Sequence, residues 1–299
     1  MQFIRDIYTR AAAAAVRPVL SFEFFTPKTA EGDRVLFEKT LPALHQFRPD
    51  YYSVTYGAGG STRDKTLNMV ERIQRDCGVP AMAHLTCVGS NREELLAMLR
   101  DASARGICNL LALRGDPPAG ASTFQQVEGG FRYASDLVKL IREHGGFSIG
   151  VAGFPEGHIE CKEGREVDWV RLRDKIGCGA DFVVTQLFFD NGLFYTFRDH
   201  LTSKLGVRTP IVPGVIPVLN ATQIKRFTAL CGAHLPQGFV DKLDAAGDDE
   251  HAAMEIGIDF ATKQCEDLLR NGVPGIHFYS LNKAASCSRI LENLGWKRA

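Results

Sequence analysis

In the stretch Val19 to Thr29, VLSFEFFTPKT, a single carboxylate, Glu23, stands among Phe22, Phe24 and Phe25 in what reads as an early buried strand. An unpaired buried charge is costly, and a carboxyl so placed tends to take up its proton. Glu23 is therefore either satisfied by a partner or kept as an acid for proton transfer. Two HxxC pairs, His84–Cys87 and His158–Cys161, carry the ligand types zinc prefers. Within a strand, positions three apart point to opposite faces, so His84 and Cys87 reach one ion only if the strand ends between them. No metal is expected; ligand-binding histidines beside structural thiols account for both pairs.

Other segments are suited to holding a ligand. YGAGGSTRDKT, Tyr56 to Thr66, is a Gly-rich turn running into a helix. It either offers backbone N–H groups to a phosphate or is a plain loop, and it lacks the GK[ST] of a P-loop. LRGDPP, Leu113 to Pro118, opens a long Gly- and Pro-rich connection to Phe131, of the length that usually carries function; the bland alternative is a solvated Arg–Asp turn. Gln186 in TQLFFD can cap backbone groups or read the donor and acceptor edge of a heterocycle. In NATQIKRF, Gln223 and Phe227 lie four apart on one helix face, with Phe227 either core or a stacking platform.

The elements that must position these residues alternate strictly. Strand-like runs fall at 18–24, 51–57, 80–86, 109–115, 147–153, 181–189, 210–216 and 275–281, each followed by a segment of helical periodicity. Asn91 with Glu94 makes a capping-box start, and Gly106, Gly145, Gly206 and Gly272 follow helix ends. This pattern predicts an α/β fold, a (β/α)8 TIM barrel, in one domain over residues 1–299. The opening MQFIRDIYTRAAAAAVR is read as an extra N-terminal amphipathic helix closing one end, because Asp6 is out of character for a transit peptide. A doubly wound sheet would need a GxGxxG fingerprint that is missing. Barrel chemistry belongs at the C-terminal strand ends. Those ends deliver Glu23, Thr55, Tyr56, His84, Thr86, Arg114, Asp116, Glu156, His158, Gln186, Asn282 and Lys283.

Composition narrows the class of partner. The chain is 45% hydrophobic and 23% charged with a formal net charge of zero, and its basic and acidic residues are interleaved, so nucleic acid is not an expected partner. No apolar run approaches the roughly 20 residues of a membrane helix. Eight cysteines sit singly, without CxxC or a secretory signal, as reduced thiols of a cytoplasmic protein would.

Taken together, SFEFFTPK, VTYGAGGSTRDKT, AHLTC, LALRGDPP, RYASDLV, FPEGH, TQLFFD, PGVIPV and HFYSLN resemble the methylenetetrahydrofolate reductase family, in the family's order and over nearly the whole chain. The likeness is to the bacterial-type enzyme, a catalytic barrel without the regulatory domain of larger relatives. It implies an FAD-binding barrel in which Glu23 is the general acid. Thr55, Tyr56, Ala58, His84, Arg114, Gly115, Asp116, Tyr133, Ala134, Phe154, His158, Cys161, Asp168 and Lys175 would line the FAD site, with Asp116 also close to the folate pterin. Gln186 and Gln223 would contact folate or the nicotinamide cofactor, Phe227 would stack on either, and Lys283 would meet the folate tail. Phe154 stands where the family often has Tyr, Lys283 where Arg is also common, and Cys161 where a small apolar residue is usual.

The activity implied is reduction of 5,10-methylenetetrahydrofolate to 5-methyltetrahydrofolate by NADH or NADPH through FAD, a ping-pong scheme serving one-carbon metabolism and methionine biosynthesis. An apolar setting and a like-charged Asp116 are expected to keep Glu23 protonated near neutral pH. Relatives are commonly homo-oligomers. The alternative is a folate- and flavin-binding subunit fed electrons by a protein partner; a non-flavin lyase or aldolase would need a Schiff-base lysine or metal constellation.

Overall fold

The computed structural model describes residues 2–14, 17–56, 63–116 and 124–299. The chain runs α1 (Ile4–Ala14), β1 (Val19–Phe24), α2 (Ala30–Val35), α3 (Leu41–His45), β2 (Tyr51–Val54), α4 (Arg63–Cys77), β3 (Ala81–Thr86) and α5 (Arg92–Ala104). It continues through β4 (Asn109–Leu113), α6 (Ala134–His144), β5 (Ser148–Gly153), α7 (Arg165–Gly177), β6 (Phe182–Thr185) and α8 (Asn191–Asp199). The last third holds β7 (Ile211–Val212), β8 (Gly214–Val215), α9 (Ala221–Cys231), α10 (Gln237–Ala246), α11 (Glu250–Arg270), β9 (Gly275–Tyr279) and α12 (Ala284–Asn293).

All strands pair in parallel, in the order β7-β6-β5-β4-β3-β2-β1-β9-β8. β7 bonds to β6 and β8 to β9, and the two are consecutive pieces of the run expected at 210–216. Pro213, which has no N–H, divides them, while its carbonyl accepts from His277 N at 3.0 Å. Eight staves thus surround the lumen. Strand alternation sorts the side chains: Leu20, Phe22 and Phe24 face the helical sheath, while Val19, Tyr51, Met82, Leu111, Phe182, Val184 and Val212 meet inside.

Ile4, Ile7 and Tyr8 of α1 join that inner cluster, so the N-terminal helix plugs the lower end of the barrel as its amphipathic pattern predicts. Ile4 N donates to Asn109 Oδ1 at 2.8 Å, and Arg5 to the Phe147 carbonyl at 2.8 Å, both at the starts of staves. The Asn91–Glu94 capping box is present in both directions, at 2.9 and 3.0 Å. One helix was not expected. α10 follows α9 and packs Phe239 and Leu243 against Phe189, Ile216 and Ile224, so α9 and α10 form an insertion over the rim with a small core of its own.

Closure is tight at Gly214. A methyl group there would lie 2.4 Å from the Thr185 carbonyl and 2.6 Å from the Tyr279 ring, and backbone cannot swing aside. Gly214→Ala is expected to cost roughly 1–3 kcal/mol in urea or thermal unfolding. Gly238→Ala in α10, with nothing within 4 Å of the added carbon, should be neutral or slightly stabilising in the same measurement.

Candidate active site

Glu23 is the last inward residue of β1, paired with Ser53 of β2 and Tyr279 of β9. The alternation that turns Phe22 and Phe24 outward turns Glu23 into the lumen, where its neighbours are polar. Its Oε2 lies 3.2 Å from His84 Nε2 and 3.3 Å from His277 Nε2. His84 Nε2 is also 2.9 Å from Ser53 Oγ, and His277 Nδ1 is 2.8 Å from Ser21 Oγ. One layer lower, Tyr51 bonds to Tyr8 through their hydroxyls at 3.0 Å.

Burial pushes the Glu23 carboxyl up, but the two imidazoles outweigh it and bring it down to about 2. The expectation of an apolar, proton-retaining setting is therefore corrected. The phenylalanines lie on the other face, and Asp116 is exposed and not among the groups acting on Glu23. Of the two readings open in the sequence, the resting structure has the partnered one.

Around the β3 to β5 side of the mouth, Arg114 grips Glu160 with two nitrogens at 2.5 and 2.8 Å and lies over the Phe124 ring. Gly115 holds φ +89°, with Val88 and Thr86 where a Cβ would go. Phe154 stands edge-on to His158, centroids 4.6 Å apart. Glu160 N donates to His158 Nδ1 at 3.1 Å, leaving Nε2 to carry the proton, and burial and nearby Arg114 lower the imidazole's pKa. Asp168 Oδ2 accepts from His158 N at 3.1 Å. Lys175 donates to the Ala152 carbonyl at 2.8 Å, and burial brings its ammonium down to about 8 against the pull of Asp168. Cys161 donates to the Gly164 carbonyl at 3.4 Å and receives Arg171 at 3.3 Å. Cys87 turns its sulfur to the Arg114 carbonyl, 3.4 Å, away from the His84 ring.

Thr55 and Tyr56 follow β2, with the Thr55 carbonyl accepting from Thr66 Oγ1 at 2.9 Å. Tyr133, 55% exposed, is the N-cap of α6 without a side-chain cap bond, and Ala134 is the first residue of that helix. Gln186 shares a small cavity with Phe154, Glu156 and Cys231. Cys231 ends α9, whose Gln223 and Phe227 are half-buried on one face, so the insertion forms a wall of the mouth. Lys283 is exposed at the N-cap of α12, and the side chain of the neighbouring Asn282 bonds the Phe25 backbone in both directions at 2.9 Å. Ala58 and the segments 57–62 and 117–123 lie outside the described residues. Among the described residues no group of three His, Cys, Asp or Glu is placed to hold a metal, and no helix is long and apolar enough to cross a membrane.

His277, Ser21 and Ser53 were missed by reading only strand ends. Their signal was the alternation within the strands: Ser21 precedes Glu23 by two, and His277 pairs with Ser21.

Compared with known proteins, residues 8–295 match the sequence profile "Methylenetetrahydrofolate reductase". The chain belongs to the methylenetetrahydrofolate reductase family. "Methylenetetrahydrofolate reductase (NADH) 1" of Zea mays is 40% identical over 294 residues, 95% of this chain and 49% of that protein. The Escherichia coli (strain K12) 5,10-methylenetetrahydrofolate reductase is 36% identical over 276 residues, 92% of this chain and 90% of that one. This chain spans about half the length of the plant relatives it matches. A Clostridium thermocellum protein that binds two copies of 5-methyl-5,6,7,8-tetrahydrofolic acid has a TM-score of 0.65 at 16% identity, covering 96% of this chain and 97% of its own, a likeness of fold.

The depressed Glu23 gives this family member an acid-labile core. The two imidazole contacts contribute their full stability above the ordinary carboxyl value of 4.5 and lose it as pH falls toward about 2. Wild type should therefore exceed Glu23→Gln in urea-unfolding free energy most near neutral pH, with the gap narrowing below about pH 5. A gap independent of pH would contradict the ionised carboxylate.

Proposed function

We propose that the chain reduces 5,10-methylenetetrahydrofolate to 5-methyltetrahydrofolate, using NADH or NADPH as donor and FAD as the bound carrier. The observation that carries this reading is a carboxylate enclosed at the mouth of a family barrel with two imidazoles in contact, a built site for moving one proton. The naming of a 40% identical relative for NADH supports a nicotinamide donor.

The donor set around the mouth suits a flavin dinucleotide. Arg114, His158 and Lys175 converge on one side, and the Ala134 and Ser135 amides at the start of α6, which the Tyr133 side chain does not cap, suit a phosphate. The exposed Tyr133 ring offers a stacking surface. Bound FAD would supply two-electron hydride transfer between nicotinamide and folate, which take turns at one face.

The chain's own residues do the rest. Methylene held between two nitrogens accepts hydride poorly until one nitrogen is protonated and the five-membered ring opens to an iminium ion, and Glu23 gives that proton. Gln186 reads the polar edge of the pterin or nicotinamide, and Gln223 and Phe227 contribute from the α9 wall, Phe227 by stacking. The Lys283 charge meets the carboxylates of the folate tail, with less directional reach than an arginine would have. Asp116, exposed at the end of β4, is left to contact the ring systems rather than to tune Glu23.

Anaerobic stopped flow on the two half-reactions tests this. Wild type should purify with flavin that NADH or NADPH bleaches and methylenetetrahydrofolate restores. Glu23→Gln should bleach at a near-normal rate while reoxidation falls about 100-fold or more. Flavin that is restored by folate but never bleached by either nicotinamide would instead point to a protein electron donor.

A further inference from the structure

One acidic residue of the rim takes no part in the chemistry above. Glu156 follows β5 in the FPEGH turn, half-buried between Phe154 and His158. Both of its carboxylate oxygens accept from His234 N, at 3.1 and 3.2 Å. Among the described residues it forms no ion pair, and the amide it holds lies 78 residues away, in the link between α9 and α10. An N–H donated to a carboxylate is stronger than one donated to a neutral acceptor.

The course of the chain brings that amide to the rim. Gly232 ends α9 in the left-handed region, φ +78°, which reverses the backbone. The turn then rests on the segment after β5: a Cβ on Gly232 would lie 3.5 Å from Ile159, and Cys231 and Ala233 share one small cavity with Phe154, Glu156 and Gln186. His234 stands beyond the α9 cap and before Pro236, the N-cap of α10. Its bond to Glu156 therefore joins two elements rather than closing a helix.

The helix held in this way carries two of the residues at the mouth. Gln223, Phe227 and Cys231 recur every fourth residue along one half-buried stripe of α9, beside the buried Ile224 and Thr228. At its start the helix is set by the Asn220 cap, Oδ1 accepting from Gln223 N at 2.7 Å. Eleven residues make a helix of about 16 Å, so what holds the far end sets the tilt of the whole stripe.

We propose that Glu156 is a positioning residue: by holding the His234 amide it fixes the tilt of α9, and with it the places from which Gln223 and Phe227 meet nicotinamide and folate. What α9 contacts rests on the reductase reading; the tie itself does not. The same bond couples the segment bearing Phe154 and His158 to the wall bearing Phe227, so the two sides of the mouth keep one spacing.

Glu156→Ala removes the tie without touching Gln223 or Phe227. With flavin retained, the concentrations of NADH for half-maximal bleaching and of methylenetetrahydrofolate for half-maximal reoxidation should both rise about 5- to 20-fold, while the limiting rates stay within about threefold. Glu156→Gln keeps one oxygen to accept the amide and should show a smaller rise; it is also the variant read if Glu156→Ala does not fold. Asp244→Asn breaks the exposed Lys225–Asp244 pair inside the insertion, 2.5 Å, and should change neither constant. Hydrogen exchange, which needs no substrate, should find the 232–235 amides exchanging faster in Glu156→Ala, with the strands unchanged. Unchanged half-saturation, an equal rise in Asp244→Asn, or unchanged exchange at 232–235 overturns the assignment. Loss of flavin from both Glu156 variants overturns it as well, since Glu156 would then hold the carrier rather than α9. A wild type that neither nicotinamide bleaches overturns the reductase reading instead, and the exchange comparison then decides the tie alone.

Discussion

A carboxylate enclosed by eight staves must be neutralised where it stands, and Glu23 is neutralised by His84 at 3.2 Å and His277 at 3.3 Å. That contact constrains much of the lumen. The two imidazoles come from β3 and β9, on either side of the β1–β2 pair, so the register of four adjacent staves has to hold together. A one-residue slip in β1 would send Glu23 into the helical sheath and bring Phe22 or Phe24 into the lumen. Ser21 and Ser53 are the small polar residues that fit beneath and beside the rings while occupying their remaining hydrogen-bonding capacity. Larger side chains there would not fit a closed interior packed to protein density.

Stability and chemistry are divided along the barrel axis. The lower lumen is apolar and stoppered by α1, with the Tyr8–Tyr51 hydroxyl pair at the boundary. Above it lies the polar layer of Ser21, Ser53, His84, His277 and Glu23, and above that the mouth with Arg114, His158, Lys175 and Gln186. The outer cluster around Phe22, Phe24, Trp169 and Phe197 supplies burial of roughly 1.5–3 kcal/mol per large side chain. That margin lets the inner layer carry desolvated charge. The polar layer lies beneath the mouth, so whatever occupies the mouth bears on the dielectric around Glu23.

The barrel was legible because strand-and-helix alternation is written in every unit, down to the Asn91 capping box and the helix closing the lower end. α10 was not, since PQGFVDKLDAA has neither a strong cap nor a long apolar stripe and becomes a helix by packing Phe239 on Phe260. The division at Pro213 was hidden for a related reason: a stave that bonds to different neighbours above and below a proline looks like one strand in one dimension. At the site, the environment expected for Glu23 was wrong. Adjacent phenylalanines suggested an apolar pocket, but in a strand adjacent residues face apart. The true neighbours come from positions 53, 84 and 277, and only pairing register brings those together.

The same register sets two imidazoles against the Glu23 carboxyl and holds it down to about 2. The separated charges of a carboxylate and an imidazolium are stabilised in part by water at the open mouth, whereas a carboxylic acid beside a neutral imidazole depends on it far less. A planar group covering the mouth would remove that water and tilt the balance toward a neutral pair, so the ionisation of Glu23 depends on what lies above it.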